Sequence, residues 1–359
     1  MSVRLFPPFR AGLALLARWL RLFGLSAALA LALTAAHLPA GVLIGCMAAG
    51  IVLALRGGAL RVSTRLFALA QAVLGCLMAH SLQPATLHAV ALDWPLLLGV
   101  TALLLAASGT LGWWMMRRQV FPGTTAVWGL APGAASAMVL MADAYGADAR
   151  LVAFMQYARV VVVTSVASFV AWWWQPRGGV PAISPAFLAT PRWPELAATL
   201  ALAVGGAAFG RGLRIPAGPM LLPLLGGATL QYLGWMDFEL PAPLLAAAYA
   251  VIGWSIGLRF TPPLFRHALG ALPQVLGAIA LLMGLGALIA VALTLGWGLA
   301  PLTAYLASSP GGADSVAIIA ATSAVDAGFV MAMQLGRFLT VLAVGPVLTR
   351  WIATRAARA

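Results

Sequence analysis

The chain has 359 residues, of which 63% are apolar and only 8% are charged, and its mean hydropathy is +0.99. A soluble domain averages about 45–50% apolar and about 25% charged residues, and it cannot bury so much apolar surface, so an ordinary water-soluble protein is excluded. Long apolar runs, such as residues 151–174, predict transmembrane helices, because the strands of a membrane barrel would be alternating segments of about 10 residues.

The net charge of +13 comes from arginine, and its distribution argues against nucleic acid as a partner. The arginines form small groups between apolar runs, which is the pattern of cytoplasmic loops in a membrane protein. We therefore predict the lipid bilayer as the main partner and no direct nucleic-acid binding. The groups are Arg56, Arg61 and Arg65; Arg117 and Arg118; Arg211 and Arg214; Arg259 and Arg266; and Arg350, Arg355 and Arg358.

In chain order, a cytoplasmic arm (1–21) precedes a first membrane repeat (22–177), a linker (178–193), a second membrane repeat (194–352) and a cytoplasmic tail (353–359). The predicted spans of the first repeat are 22–37, 40–55, 66–82, 95–116 and 150–174. Those of the second are 194–210, 216–234, 243–258, 268–296 and 328–350. Each repeat also holds an apolar element interrupted by Pro-Gly pairs, at 120–147 and at 299–325.

The two halves of the chain repeat each other. The segment PGAASAMVLMADAYGADARLVAFMQYAR from Pro132 aligns with PGGADSVAIIAATSAVDAGFVMAMQLGR from Pro310, an offset of 178 residues. At the same offset, AVLGCLMAHSLQP from Ala72 aligns with AVIGWSIGLRFTP from Ala250. Such a duplication predicts one architecture that is used twice.

The arginines also indicate whether each interrupted element crosses the membrane or returns to its own side. If it returns, 17 arginines face the cytoplasm and only Arg177 and Arg192 face outward. If it crosses, four arginines of the second repeat move outside, against the positive-inside rule. The sequence therefore predicts an all-α protein of the bacterial inner (plasma) membrane with about ten transmembrane helices in two inverted five-span repeats. Both termini are predicted to be cytoplasmic.

The Pro-Gly pairs predict broken or re-entrant helices, because proline lacks an amide N–H and clashes with the preceding turn. Irregular backbone at membrane depth is tolerated only where it is buried in protein or lines an aqueous cavity, so two breaks predict a cavity. The helices after the breaks begin with free N–H groups and a positive dipole end. The break residues are Pro132, Gly133, Pro310, Gly311 and Gly312; Ser136, Asp314 and Ser315 in the following first turns are either helix caps or solute contacts.

Arg159 and Arg337 lie inside the last span of each repeat, one turn after Gln156 and Gln334. An arginine at mid-depth costs about 2.5–3.5 kcal/mol on insertion scales, so it faces the interior and finds partners. Two roles stay open for these four candidate site residues. The guanidiniums bind carbonyls of a broken helix or pair with an acid, or they recognise an anion such as a carboxylate. The candidate acids are Asp143, Asp148 and Asp326.

No other pattern indicates catalysis or a cofactor. Asp148 and Asp326 precede the last span of each repeat, which is typical of a helix N-cap. The histidines have no metal-ligand spacing, and Cys46 and Cys76 are isolated thiols within apolar runs. We therefore predict no enzymatic site, no metal and no cofactor.

The duplicated block, with Pro-Gly, Asp, Gln and Arg in fixed order before a final apolar span, resembles the AbrB-type membrane duplication family. The resemblance covers nearly the whole chain and is strongest at 129–174 and 307–352. Names in this family refer to ammonia monooxygenase and to AbrB transcriptional regulators, so the resemblance implies ammonia oxidation or regulation of gene expression. The family often has an acidic residue soon after each Pro-Gly; here the first repeat has Ala137 near that place and the second has Asp314.

Three functions are therefore weighed, and a homodimer stays open in each. The leading prediction is a secondary transporter or facilitator of a small solute, with an anion as one option, because inverted repeats with broken helices are a common transporter plan. The second is a membrane regulator that influences gene expression without transport. The weakest is an ammonia monooxygenase-like membrane subunit.

Reporter fusions test the predicted topology. Fusions placed after Arg118 and after Arg214 should both report the cytoplasm, because each interrupted element returns to its own side of the membrane. A fusion after Arg214 that reports the outside would replace the inverted arrangement with two parallel six-span repeats.

Overall fold

The computed structural model describes residues 8–57, 60–82, 94–131, 138–139, 142–143, 145–174, 191–213 and 217–356. Within these ranges the secondary structure is helical and contains no strand. The structure also has a 3₁₀ turn at Leu269–Ala271. The helices are α1 (Pro8–Ala35), α2 (Gly41–Leu55), α3 (Thr64–Ser81), α4 (Trp94–Arg117), α5 (Thr125–Leu130), α6 (Ala149–Trp174), α7 (Trp193–Gly212), α8 (Gly218–Tyr232), α9 (Ala242–Gly257), α10 (Pro262–Ala268), α11 (Leu272–Trp297), α12 (Pro301–Ser308), α13 (Ala313–Ala321) and α14 (Ala327–Ala356).

A helix lies at each of the ten positions where the sequence predicts a span. The helices differ from the predicted spans mainly at the two ends of the chain. Helix α1 begins at Pro8, so residues 8–21 of the predicted arm are helical and continuous with the first apolar run. Helix α14 continues to Ala356 and so enters the predicted tail.

Apolar helices with apolar outer faces identify a helical membrane protein. Among the described residues, four helical stretches are long and apolar enough to cross a bilayer, and three shorter apolar helices accompany them. On α11, Leu281, Leu288 and Leu295 recur every seven residues and are 60%, 67% and 81% exposed. Such a stripe is unfavourable in water and favourable in lipid. The four long stretches are Ala14–Ala35, Trp94–Arg117, Ala149–Trp174 and Pro262–Trp297.

The two repeats pack against each other reciprocally. Helix α2 of the first repeat lies against α9 of the second, and α3 lies against α8. Helices α3 and α9, which occupy the same place in the two repeats, also contact each other. The match extends to the backbone, because Ala40 and Ala217, which precede α2 and α8, have left-handed φ angles of 57° and 54°. Exchanged contacts of this kind are what a two-fold relation requires.

Duplicated glycines allow these helices to cross closely. A Cβ atom on Gly253 of α9 would lie 2.6 Å from the carbonyl oxygen of Leu43 on α2. A Cβ atom on Gly75 of α3, 178 residues earlier, would likewise collide with the carbonyl oxygen of Met220 on α8. In lipid, where apolar burial gives no net driving force, close packing through small residues is a main source of helix association. These two crossings therefore hold the repeats together.

We expect Gly75→Leu and Gly253→Leu to destabilise the protein, because the obstructing atoms are backbone oxygens and the helices must separate. Overpacking of this kind costs about 1–3 kcal/mol. Thermal unfolding in detergent measures the effect, and Gly284→Leu on α11 is the matched control, since the space around Gly284 is open. If the control and the two crossing variants unfolded at the same temperature, the crossings would not be what holds the repeats together.

Candidate functional site

The second break is described in full. Helix α12 ends at Ser308 and α13 begins at Ala313, so the backbone between them is not helical. Because Pro310 has no N–H, the carbonyl of Leu306, four residues earlier, has no helical donor. By sequence, the carbonyl of Trp128 has the same relation to Pro132. The predicted residues Pro132, Gly133 and Ser136 lie outside the described residues.

In the first repeat, Gln156 and Arg159 on α6 bind the carbonyls at the end of α5. Gln156 Nε2 donates to the carbonyl of Trp128 at 3.1 Å and to that of Ala131 at 3.0 Å. Arg159 Nη1 lies 3.4 Å from the carbonyl oxygens of Leu130 and Ala131, and its Nη2 donates to Oε1 of Gln156 at 2.8 Å. Gln156 is fully buried and Arg159 is 8% exposed. The glutamine amide thus replaces the missing proline N–H and also fixes the guanidinium.

The second repeat builds the same arrangement on α14. Gln334 Nε2 donates to the carbonyl of Leu306 at 2.8 Å and to that of Ser309 at 3.5 Å. Arg337 Nη1 donates to the carbonyl of Ser309, and its Nη2 donates to the carbonyl of Gly311 at 2.9 Å and to Oε1 of Gln334. Gln334 is buried and Arg337 is half-buried. Of the two roles considered from the sequence, carbonyl binding is therefore present in both repeats.

The acidic residues considered as partners of these arginines have other contacts. Asp148 Oδ1 accepts from the amide of Leu151 at 3.0 Å, and Asp326 Oδ1 accepts from the amide of Phe329 at 2.9 Å, so both act as helix N-caps. In the part of the chain that the structure describes, no ion pair joins Arg159 or Arg337 to an acid. Pairing with Asp143, Asp148 or Asp326 is therefore not seen there.

Asp148 also connects the two repeats through His267 on α10, whose Nε2 lies 2.6 Å from Asp148 Oδ2. Burial acts to raise the pKa of the Asp148 carboxyl. The hydrogen bonds from His267 and from the amides of Leu151 and Arg150, with the charge of His267, outweigh burial and lower that pKa below its ordinary value. The stability that ionised Asp148 contributes is therefore present at neutral pH and lost only as the pH falls through the lowered pKa.

A cavity of about 320 Å³ lies beside the second break. Leu130 at the end of α5 and Pro310 of the second break both line it, so the cavity is lined from both repeats. Ser315 is buried outside the cavity, and its hydroxyl donates to the carbonyl of Gly312 at 3.0 Å. The polar and charged lining residues are Gln71, Thr101, Ser108, Gln156, Tyr157, Arg159, Ser255, Arg259, Asp314, Gln334 and Arg337.

The described lining of the cavity carries three arginines and one carboxylate. Arg159 and Arg337 face the space from the two repeats, and the positive charge of Arg159 acts on Arg337. Asp314 Oδ1 accepts from the amide of Ser315 at 3.1 Å, and among the residues described it forms no ion pair. The lining therefore has an excess of positive charge. Buried charge without a counter-ion costs several kcal/mol per ion.

Six of the polar and charged lining residues were not found from the sequence: Gln71, Thr101, Ser108, Tyr157, Ser255 and Arg259. Among them, Arg259 and Tyr157 contact each other. Arg259 was predicted in a cytoplasmic arginine group. Its guanidinium donates to the Tyr157 hydroxyl and lies 4.8 Å from the centre of the Tyr157 ring, while its Nε donates to the carbonyl of Ser255 at 3.1 Å. The equivalent position in the first repeat is Ser81, so the duplication gives no signal for this arginine.

Comparisons with known proteins indicate the same family as the residues of the duplicated block. Residues 42–353 match the family model described as "Transition state regulatory protein AbrB". The chain belongs to the AbrB family. The resemblance stated from the sequence is thus confirmed. The family description names a regulator and not an enzyme, and within the described ranges no three His, Cys, Asp or Glu side chains are placed to hold a metal ion.

Two curated proteins are similar to this AbrB-family chain. One is "Putative regulator AbrB" of Escherichia coli (strain K12), 41% identical over 345 residues, which covers 94% of this chain and 97% of that protein. The other is "Uncharacterized protein YhjN" of Bacillus subtilis (strain 168), 29% identical over 307 residues, which covers 79% of this chain and 78% of that protein. No solved structure matches the chain.

Replacing either site glutamine should destabilise the protein, because each one satisfies a carbonyl that a proline leaves without a donor. We expect Gln156→Ala and Gln334→Ala each to lower the free energy of unfolding by about 1–3 kcal/mol. Gln274→Ala is the matched control, since Gln274 is exposed near the start of α11. Reversible unfolding in mixed micelles measures the difference. Variants as stable as the control would mean that the glutamines do not support the breaks.

Proposed function

We propose that this AbrB-family protein is a secondary transporter or facilitator of a small organic anion. It has ten spans in two inverted five-span repeats of the plasma membrane, with both termini cytoplasmic. The observation that carries the proposal is the cavity in which Arg159 and Arg337 face the same space without an acidic partner among the described residues. A bound anion supplies the charge that this lining lacks.

The chemistry of the two guanidiniums favours a carboxylate. Their Nη atoms bind the break carbonyls and the glutamines, while the Nε–H group of each has no hydrogen bond within the described residues. Guanidinium N–H groups match carboxylate oxygens in geometry and form short, charge-assisted bonds with them. A volume of about 320 Å³ is at the small end of ligand pockets and suits a small solute.

The reciprocal packing supports a transport cycle. Equivalent helices of the two repeats line the cavity, α3 with α9 and α6 with α14. With an odd number of spans in each repeat, the repeats have opposite orientations and can exchange roles as the cavity opens to either side. Binding between inverted repeats, beside discontinuous helices, is a recurring plan of secondary transporters.

A membrane regulator without transport is the second candidate function. It is favoured by the name of the Escherichia coli relative, "Putative regulator AbrB". The two candidates differ in one respect that can be measured directly, since only a transporter moves solute across a sealed bilayer. Neither relative's name supports the ammonia monooxygenase-like subunit.

Uptake into proteoliposomes tests the proposal. We expect the purified protein to catalyse counterflow of radiolabelled pyruvate or succinate, with sulfate as the inorganic comparison. Arg159→Lys and Arg337→Lys should lower carboxylate uptake per folded protein by about tenfold or more. The single ammonium group of lysine cannot reproduce the planar arrangement of N–H donors in a guanidinium. A hydrogen bond to a charged group contributes about 1.5–3 kcal/mol, which is enough for an effect of this size. Arg61→Gln, at an exposed arginine outside the cavity, is the control.

Size-exclusion chromatography and thermal melting separate loss of function from loss of folding in these variants. A folded double lysine variant with full uptake would remove both the structural and the anion-binding account of the arginines. A folded wild-type protein that moves none of the three anions would contradict transport of a small anion and favour the regulator.

A further inference from the structure

Asp314 is the acidic residue of the described cavity lining, and it has a distinct position. It lies in the first turn of α13, immediately after the second break. A Cβ atom on Gly312 would lie 2.6 Å from Asp314 Oδ1, so the carboxyl group is held against the backbone of the break. The equivalent position in the first repeat is Ser136, so the duplication supplies one carboxyl group and one hydroxyl.

The groups that share the cavity with Asp314 come from each element packed against α13. Helix α14 contributes Arg337, and α6 contributes Arg159 and Tyr157. Helix α3 contributes the neutral side chain of Gln71, and Arg259 follows α9. Asp314 therefore shares this space with three arginines, and no second carboxylate of the described residues lines it.

This arrangement makes Asp314 a competitor of a bound anion. When the Asp314 carboxyl is ionised, it repels a solute carboxylate that occupies the same cavity. When it is protonated, that repulsion disappears and both guanidiniums remain charged for the solute. By linkage, a solute that binds better to the protonated protein must in turn raise the affinity of Asp314 for its proton.

Resting on the proposed function, we propose that Asp314 carries the coupling proton, so that the cavity binds and moves one proton together with a small carboxylate. The proton resides on a carboxyl oxygen of Asp314 while the solute lies on Arg159 and Arg337. It leaves when the solute leaves, because an ionised Asp314 then no longer meets the charge of a solute carboxylate.

The contacts at the break favour a proton over a metal cation as the coupling ion. A sodium ion needs several oxygen ligands, and the unwound carbonyls beside Asp314 would be its natural source. The carbonyls of Ser309 and Gly311 instead accept from the Arg337 guanidinium. A cation there would meet the positive charge of Arg337 directly, whereas a proton needs only the carboxyl group itself.

Proteoliposomes loaded at neutral pH test this coupling with labelled pyruvate. In the wild-type protein, an acid-outside pH gradient should raise the initial uptake rate by about fivefold or more, in the usual range of coupling between two ligands. Asp314→Asn should lose the response to the gradient, measured as the ratio of its uptake rates with and without the gradient. If this variant moves no pyruvate at all, the measurement of proton uptake by the wild type decides. Asp326→Asn is the matched control, because Asn caps a helix as well as Asp and this position lies outside the cavity.

Three outcomes separate the proposals. A gradient response in Asp314→Asn equal to that of the wild type would overturn the coupling role while leaving anion transport in place. Absence of pyruvate counterflow in the folded wild type would contradict transport of pyruvate, on which the coupling role rests. If Asp314→Asn does not fold, the wild type decides: pyruvate binding in weakly buffered detergent solution should take up protons, and binding without proton uptake would overturn the proposal.

Discussion

The fold depends on satisfying the backbone carbonyls that two prolines leave without a donor. Pro132 and Pro310 remove the amide N–H groups that the carbonyls of Trp128 and Leu306 would bind in a continuous helix. Inside a helical membrane protein, such a carbonyl costs several kcal/mol unless another donor replaces water. A glutamine on the last helix of each repeat supplies that donor, so the last helix must pack against its own break.

The arginine three residues after each glutamine has two effects, one on the backbone carbonyls and one on the charge of the cavity. Arg159 and Arg337 bind carbonyls at the end of α5 and at the second break, and they also bring positive charge to one cavity. Since neither has an acidic partner in the described structure, the support of the breaks and the positive cavity arise from the same side chains. Asp314 distinguishes the second repeat from the first, because it is a titratable residue at a position where the first repeat has Ser136.

Much of this arrangement can be predicted from the sequence, because the duplication presents each element twice and the two copies can be compared. The ten helix positions are visible as apolar runs, and the two N-cap aspartates and the pairs of Gln and Arg recur at the offset of 178 residues. The hydroxyls of Thr125 and Thr303, which accept from the amides of Asp148 and Asp326 at 3.1 and 3.3 Å, also lie at that offset and could have been found. They were missed because a threonine in an apolar run is usually packing.

Other features have no counterpart in the duplicated pattern. Arg259 falls among loop arginines by sequence, and only the tertiary fold brings it to Tyr157. The early start of α1 at Pro8 also escapes prediction, because arginines within its first half resemble a polar arm. In both cases arginine is ambiguous, since its long apolar stem allows a charged end group to serve a loop, a helix or a cavity.

The central claim is that the two guanidiniums form one anion site. A cryo-electron microscopy map of the protein in lipid nanodiscs with saturating pyruvate tests it most directly. The account predicts density for one solute in contact with both Arg159 and Arg337, between the two breaks. A map with well-ordered arginines and an empty cavity, or with a carboxylate of the protein itself bound to the guanidiniums, would contradict it.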